Sequence, residues 1–369
     1  MASKVYFADA RSRLDTENKI TKIRRLAEAV GLAGLVAPGD LTAIKLHFGE
    51  HGNDTHLRPM YVRQIVDVVR GQGGKPFLTD TNTLYTGSRT NAVDHLLTAF
   101  EHGFAFSVVG APVLIADGLK GGSAASVVID QKRFAEVIIG RDVYDADCLV
   151  AMSHFKGHMV AGFGGAIKNL AMGCATPQGK RAQHSPRLMV NPEQCVGCGL
   201  CQDSCPAGAA RLQESGKCEV DPELCIGCFE CVSVCPEGAV QPDWLRDIPE
   251  FMERMTEYAL GALANKRGKA CFFNFLLDIT PDCDCVPWSD TPMVPNLGIL
   301  ASTDPVAIDQ ASYDLVTTQT SLAGCKLETP CGPGADKFAA AWAHTQGLTQ
   351  ITYGAEIGLG TAEYELIAI

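Results

Sequence analysis

The chain has 369 residues, a formal net charge of −11, and 46% hydrophobic and 20% charged residues. This composition is typical of a globular protein, and the acidic balance argues against a nucleic-acid partner, because phosphate binding needs a basic face. Apolar runs are too short to span a bilayer and the N-terminal residues lack a signal-peptide pattern, so we expect a cytoplasmic protein with no membrane partner. Sixteen cysteines in a reducing compartment favour metal binding, and with it an anaerobic metabolism.

Helical and strand-like segments alternate in the first part of the chain. Apolar residues at helical spacing predict helices, and short apolar runs predict buried parallel strands. In chain order we predict helix 22–30, strand 41–48, helix 58–71, strand 76–80, helix 91–103, strand 148–153 and helix 166–172. The pattern resumes with helix 249–265, strand 270–279, helices 305–317 and 335–344, the second being the last helix, and strand 363–369. The prediction is an α/β fold with a mostly parallel sheet flanked by helices.

Two cysteine runs, CVGCGLCQDSCP (195–206) and CIGCFECVSVCP (225–236), interrupt this pattern. Each has the C-x₂-C-x₂-C-x₃-C-P spacing that holds a [4Fe–4S] cluster in bacterial ferredoxins, where the fourth cysteine ligates the other cluster. Zinc ribbons use two C-x₂-C pairs instead, and disulfide knots belong to small secreted chains. We therefore predict two [4Fe–4S] clusters, one on Cys195, Cys198, Cys201 and Cys235, the other on Cys225, Cys228, Cys231 and Cys205.

The cysteine runs also suggest the domain organisation. We interpret residues 187–241 as an inserted α+β, two-cluster ferredoxin-like domain, with 1–186 and 242–369 as the two parts of one α/β domain. The polar segment 176–186 predicts a linker, on which Lys180, Arg181 and His184 would form a solvated basic cluster.

Polar residues follow several of the predicted strands. The carboxyl ends of parallel strands form the ligand crevice of open α/β sheets, so these residues are expected to converge there. The candidates are His47, Glu50, His51, Asp80, Asn82, His154, Lys156, His158 and Asp278. As catalytic residues we predict His154, Lys156 and His158, which would bind or protonate a small-molecule substrate, with Glu50 and Asp80 orienting them.

Three further features lie outside these groups. The Gly-rich turn before helix 166–172 suits either an anion or simple packing of helix on sheet. Asp304 and Asp309 are expected to cap or begin a helix rather than do chemistry. Cys174, Cys283 and Cys285 could bind zinc or a further iron with a nearby histidine, or could be free thiols.

Several blocks together resemble a known family. They are KLHFGEHGN (45–53), LRP (57–59), SHFKGHMVAGFGGAIKNLAMGCA (153–175), the two cysteine runs, DITPDCDC (278–285) and GILASTDPVAIDQA (298–311). The chain resembles the iron–sulfur centre proteins of the domain of unknown function 362 family, in the form with a ferredoxin-type insert. The resemblance implies an α/β domain interrupted by two [4Fe–4S] clusters, and it assigns no reaction.

Three functional hypotheses follow. The first is an iron–sulfur oxidoreductase or electron-transport protein that passes low-potential electrons to or from the strand-end site, with a ferredoxin or reductase as redox partner. The second is a non-catalytic electron carrier or docking subunit. The third is a metal- or cluster-handling protein that uses Cys174, Cys283 and Cys285.

Overall fold

A computed structural model describes residues 2–85, 87–185, 187–225, 227, 230–243, 248–327 and 329–369. The strands are β1 (Ser3–Asp9), β2 (Leu41–Lys45), β3 (Lys75–Asp80), β4 (Val113–Ile115), β5 (Ala124–Val128), β6 (Glu136–Gly140), β7 (Cys148–His154), β8 (Lys156–His158), β9 (Gly162–Gly164), β10 (Leu188–Val190), β11 (Ala210–Leu212), β12 (Cys218–Val220), β13 (Val240–Pro242), β14 (Ala270–Leu276), β15 (Gly298–Ser302) and β16 (Tyr364–Ala368). The helices are α1 (Lys19–Ala29), α2 (Leu32–Leu35), α3 (Pro59–Gly71), α4 (Ala92–Glu101), α5 (Phe106–Val109), α6 (Arg141–Asp145), α7 (Ala166–Cys174), α8 (Pro177–His184), α9 (Leu200–Asp203), α10 (Glu230–Ser233), α11 (Ile248–Leu263), α12 (Pro305–Thr317), α13 (Lys337–Ala341) and α14 (Thr349–Glu356).

One eight-stranded sheet forms the centre of the fold, in the order β16-β1-β15-β14-β7-β2-β3-β4. Neighbouring strands pair in parallel except at β15, which is antiparallel to both β1 and β14. Every residue of β7 is buried, as expected for a strand covered by helices on both faces. The predicted α/β fold with a mostly parallel sheet is therefore confirmed.

Helices cover both faces of the sheet. On one face α7, α11 and α12 pack together, and their buried residues share a core with Leu149 and Phe272. On the other face α1 and α3 pack against each other over Ile44 and Val150. Asp304 accepts hydrogen bonds from the first turn of α12, as its position before Pro305 predicts.

Four sequence-based expectations need correction. Strands β1 and β15 were not predicted, although both lie inside the sheet. The predicted linker 176–186 contains helix α8 instead. This helix packs against α11, and its Gly179 and Gln183 are buried. Lys180 is likewise buried and does not belong to a solvated basic cluster. The predicted last helix 335–344 is reduced to α13, and α14 follows it.

The cysteine-rich segment forms small elements of its own. Strand β10 pairs with β13 and β11 pairs with β12, both antiparallel, and α9 and α10 lie between them in the chain. Buried residues there, including Cys195, Cys201 and Cys231, form a cluster separate from the two cores of the sheet. The boundaries 187–241 remain a prediction. Across the described residues, no helix is long and apolar enough to cross a membrane.

Candidate functional site at the strand ends

A cavity of about 860 Å³ lies beyond the carboxyl ends of the parallel strands. It is lined by His47 from the segment after β2, Asp80 from the end of β3, His158 from β8, and Cys283 and Cys285 from the loop after β14. Such a volume lies within the range of small-molecule sites. Glu50 and His51 also line this cavity, so five of the nine predicted strand-end residues meet here.

Arg89 organises the acidic residues of this cavity. Its guanidinium contacts a Glu50 carboxylate oxygen at 3.2 Å and an Asp80 oxygen at 3.4 Å, and all three side chains are buried. The Ser88 hydroxyl and backbone N–H also donate to Glu50. Glu50 and Asp80 are thus held by charge, and the residue that holds them is one that sequence analysis missed.

Asp80 has a second cation. Lys45 Nζ lies 3.0 Å from the Asp80 carboxylate and also donates to the Asn169 side chain at 2.7 Å. Burial raises the pKa of Asp80, but Lys45, His47, His95 and Arg89 together lower it below its ordinary value. Asp80 is therefore a fixed negative charge beside the cavity.

His154 and Lys156 do not line the large cavity, but they line an adjoining one of about 40 Å³ with Asp284. Asp284 joins them: one carboxylate oxygen lies 2.8 Å from His154 Nδ1 and the other 3.2 Å from Lys156 Nζ. His154 Nε2 lies 3.0 Å from the Asp278 carbonyl oxygen. Both contacts are to atoms of the loop after β14, so they hold the His154 ring against that loop.

His158, Cys283 and Cys285 form a group that could hold a metal ion. One ligand atom from each lies within 4.8 Å of the others. The expected nearby histidine is thus His158. The described structure does not bring Cys174 into this group; it is the last residue of α7 and is buried in the core, where burial raises the pKa of its thiol to about 11.

The two thiols have different electrostatic surroundings. A hydrogen bond from Cys285 lowers the pKa of the Cys283 thiol well below its usual range, despite burial, with a further contribution from Lys168. Lys168 Nζ lies 3.8 Å from Cys283 Sγ. The same hydrogen bond, together with burial, raises the pKa of Cys285. Cys283 is therefore the more acidic thiol of the pair.

The Gly-rich turn before α7 is occupied by the protein itself. Asp309 accepts from the backbone N–H groups of Ala166 and Ile167 at 2.7 and 2.9 Å. A carboxylate is the anion that a helix N-terminus favours, so of the two expectations for this turn, packing is the one that the contacts support.

Of the other predicted residues, Lys180 lines the cavity, whereas Asn82 and Asp278 do not. Asn82 donates to Asp117 at 2.9 Å and to the Gly118 carbonyl at 2.8 Å. Asp278 pairs with Arg58 at 3.2 Å, away from the cavity wall. Lys180 donates to Thr81 and to two backbone carbonyls, and burial lowers its pKa to about 8.

The cysteine runs form a second candidate site. Cys195, Cys198, Cys201 and Cys235 line one small hollow, although the last comes from the other run. Backbone N–H groups approach the sulfurs, with Ala209 N 3.2 Å from Cys205 Sγ and Ala239 N 3.2 Å from Cys235 Sγ. Such N–H contacts suit cluster-ligating thiolates. Cys228, predicted for the second cluster, lies outside the described residues.

Lys45, Arg89, Lys168 and Asp284 are site residues that the sequence did not single out. Asp284 stands inside the block DITPDCDC, and Arg89 follows the candidates Asp80 and Asn82 in the polar segment after β3. Their charge and their position close to other candidates are the sequence signals that could have drawn attention to them. Those signals do not show which residue each side chain contacts.

Comparisons with known proteins add one firm result. No curated protein matches the sequence. Among solved structures, the lactate racemase apoprotein of Thermoanaerobacterium thermosaccharolyticum is 13% identical with a TM-score of 0.39, covering 75% of this chain and 51% of that one. A protein from Thermotoga maritima is 8% identical with a TM-score of 0.36, covering 72% and 52%. This chain thus spans about half the length of these structures. The family model described as Domain of unknown function (DUF362) matches residues 42–314, and the chain belongs to that family.

Proposed function

We propose that this chain is an iron–sulfur redox protein that exchanges low-potential electrons with a small molecule bound in the strand-end cavity. The predicted ligand sets are Cys195, Cys198, Cys201 and Cys235 for one [4Fe–4S] cluster and Cys225, Cys228, Cys231 and Cys205 for the other. When bound, such clusters supply one-electron transfer.

The sulfur environment supports the first ligand set. Cys235 lines the same hollow as Cys195, Cys198 and Cys201, which is the cross-pairing that the ferredoxin spacing predicts. Backbone N–H groups of Cys218 and Gly197 lower the pKa of the Cys195 thiol, and metal ligation requires the thiolate. The donor set and its hydrogen bonds therefore fit a cluster.

A single contact carries the link to the cavity. Val232 of α10, the residue after Cys231, lines the same cavity as Cys283, Cys285 and His158. The cysteine-rich segment therefore forms part of the wall of the strand-end cavity. A carrier or docking subunit would not need this arrangement, so the contact favours a redox enzyme over the non-catalytic alternative.

Metal analysis tests the proposal. The full chain, purified anaerobically, should contain about eight irons and an equal amount of sulfide, and reduction should give the EPR signal of two interacting clusters. Cys198→Ser should lower the iron content and remove the interaction, while Cys325→Ser, outside both runs, should change neither. A chain that holds only zinc, or iron that is unaffected by Cys198→Ser, would refute the ligand assignment.

Metal handling is the second candidate function, and the group of His158, Cys283 and Cys285 favours it. Zinc or iron bound there would appear in addition to the iron of the cysteine runs. Cys283→Ser should then remove that metal alone, and unchanged metal content would exclude this candidate.

The redox partner of the proposed iron–sulfur protein is a ferredoxin or a reductase, since the chain needs an external source of electrons.

A further inference from the structure

We propose that Cys283 and Cys285 are a redox-active dithiol that reduces a small disulfide bound in the strand-end cavity and itself cycles through a Cys283–Cys285 disulfide. This inference rests on the proposed function, because iron–sulfur clusters would supply the electrons that restore the dithiol. It assigns to the cavity a two-electron reaction and a class of substrate.

The two sulfurs are close enough to bond. Their Sγ atoms lie within 4.8 Å of each other, and both residues line the cavity as free thiols. Residues two apart have Cα atoms at most about 7 Å apart, and disulfides join Cα atoms roughly 4.4 to 6.8 Å apart. A local adjustment of the Cys283–Cys285 loop is therefore enough to form the bond.

The hydrogen bonds of His158 favour a dithiol over a three-ligand metal site. His158 Nδ1 accepts from the backbone N–H groups of Val160 at 3.1 Å and Ala161 at 3.0 Å. In a neutral imidazole an accepting Nδ1 leaves the hydrogen on Nε2. Neither nitrogen then offers a free lone pair, so ligation would require the loss of both backbone hydrogen bonds.

Lys168 supplies the charge that thiol–disulfide exchange needs. Its Nζ lies 3.8 Å from Cys283 Sγ, and no carboxylate pairs with it among the described residues. A cation at this distance stabilises a thiolate, and the thiolate is the attacking species in exchange. Cys283 is therefore the nucleophile and Cys285 the resolving thiol.

The reaction balances in two stages. The Cys283 thiolate attacks one sulfur of the substrate, forming a mixed disulfide and releasing one thiolate, which is protonated. Cys285 loses its proton and attacks Cys283, which forms the protein disulfide and releases the second thiol. Reduction of the protein disulfide then takes up two electrons and two protons and restores both thiols, the electrons arriving one at a time from an iron–sulfur donor.

Mass spectrometry of one peptide tests the dithiol. The chymotryptic segment 278–288 contains Cys283 and Cys285 as its only cysteines. After anaerobic incubation of the full chain with glutathione disulfide, acid denaturation and alkylation, this peptide should be unalkylated and lighter by two hydrogens. Cys285→Ser should instead retain glutathione on Cys283, and Cys331→Ser should behave like the unaltered chain. A peptide that stays alkylated at both cysteines would overturn the proposal, as would a stoichiometric metal that Cys283→Ser removes.

A second step separates this proposal from the proposed function. Reduced methyl viologen should restore both thiols of the oxidised chain, and Cys198→Ser should still form the disulfide but lose this recovery. If Cys198→Ser recovers as fast as the unaltered chain, the dithiol stands and the electron route through the cysteine runs is wrong. If no disulfide forms in a chain that holds its full iron, the dithiol is wrong and the iron–sulfur assignment stands.

Discussion

The Asp309 carboxylate of α12 lies 2.7 Å from the backbone N–H of Ala166 and closes the N-terminus of α7 across 143 residues of sequence. The neighbouring Ile167 N–H donates to the second carboxylate oxygen at 2.9 Å. This contact locks the Gly-rich turn that leads from the strand-end site into α7. The helix that carries Lys168 is thereby fixed at its first turn.

The Asp309 cap should be visible as a pH dependence of stability. Burial raises the pKa of Asp309 to about 6, against an ordinary value of 3.8. Between about pH 4 and 6 the folded chain therefore keeps a proton on Asp309 that the unfolded chain has lost. The stability that this proton contributes is complete below about pH 4 and is lost as the pH rises through about 6. Asp309→Asn should remove this change in the free energy of unfolding between about pH 4 and 6, as measured by urea unfolding.

The control is Asp304→Ala, which removes the N-cap side chain of α12 and leaves Asp309 in place. It should lower stability by about 1 kcal/mol while keeping the pH slope of the unaltered chain. An Asp309→Asn variant with an unchanged slope would contradict the assignment.

Arg89 is the counter-ion of two buried carboxylates, Glu50 and Asp80. Arg89→Met should lower the free energy of unfolding by about 3–5 kcal/mol, because it leaves the buried Glu50 carboxylate without its counter-ion. Arg63→Met, which breaks a more exposed ion pair with Asp67, should cost no more than about 1 kcal/mol. Equal losses in the two variants, measured by anaerobic denaturant unfolding, would show that Glu50 and Asp80 do not depend on Arg89.

Lys168 should control the reactivity of Cys283. Cys285 and Lys168 both hold the pKa of Cys283 below its usual range, so Lys168→Met should raise that pKa and slow alkylation by iodoacetamide at neutral pH. Lys326→Met, at a lysine that stacks on Trp342, should leave the rate unchanged. The rate of alkylation is followed on peptide 278–288. If Lys168→Met is alkylated as fast as the unaltered chain, Lys168 does not control the reactivity of Cys283.

Gly157 should be intolerant of a side chain. A Cβ atom there would lie 2.3 Å from the Pro281 carbonyl oxygen, two residues before Cys283. Gly157→Ala should therefore displace the loop that carries the two thiols and destabilise the fold by about 1–3 kcal/mol. Gly122→Ala, with no heavy atom within 4 Å, is the control. Thermal unfolding of both variants checks this, and equal midpoints would contradict the close approach.

The sequence by itself determined the features that depend on neighbouring residues. Apolar runs located β2, β3, β7 and β14 to within a few residues, because a buried parallel strand must be apolar throughout. Asp304 before Pro305 marked the start of α12. Local signals failed where packing decides. Strand β15 is antiparallel to both of its neighbours, and the polar segment of α8 is helical because one face is buried against α11.

Tertiary structure alone decided which side chains form the site. Cys283 meets His158 and Lys168, not Cys174, and Arg89 meets Glu50 and Asp80. These pairs lie on segments that only the strand order and register bring together. Hydrophobic periodicity predicts which residues face a core, but it carries no information on which strand lies beside which. That choice depends on the packing of the whole sheet.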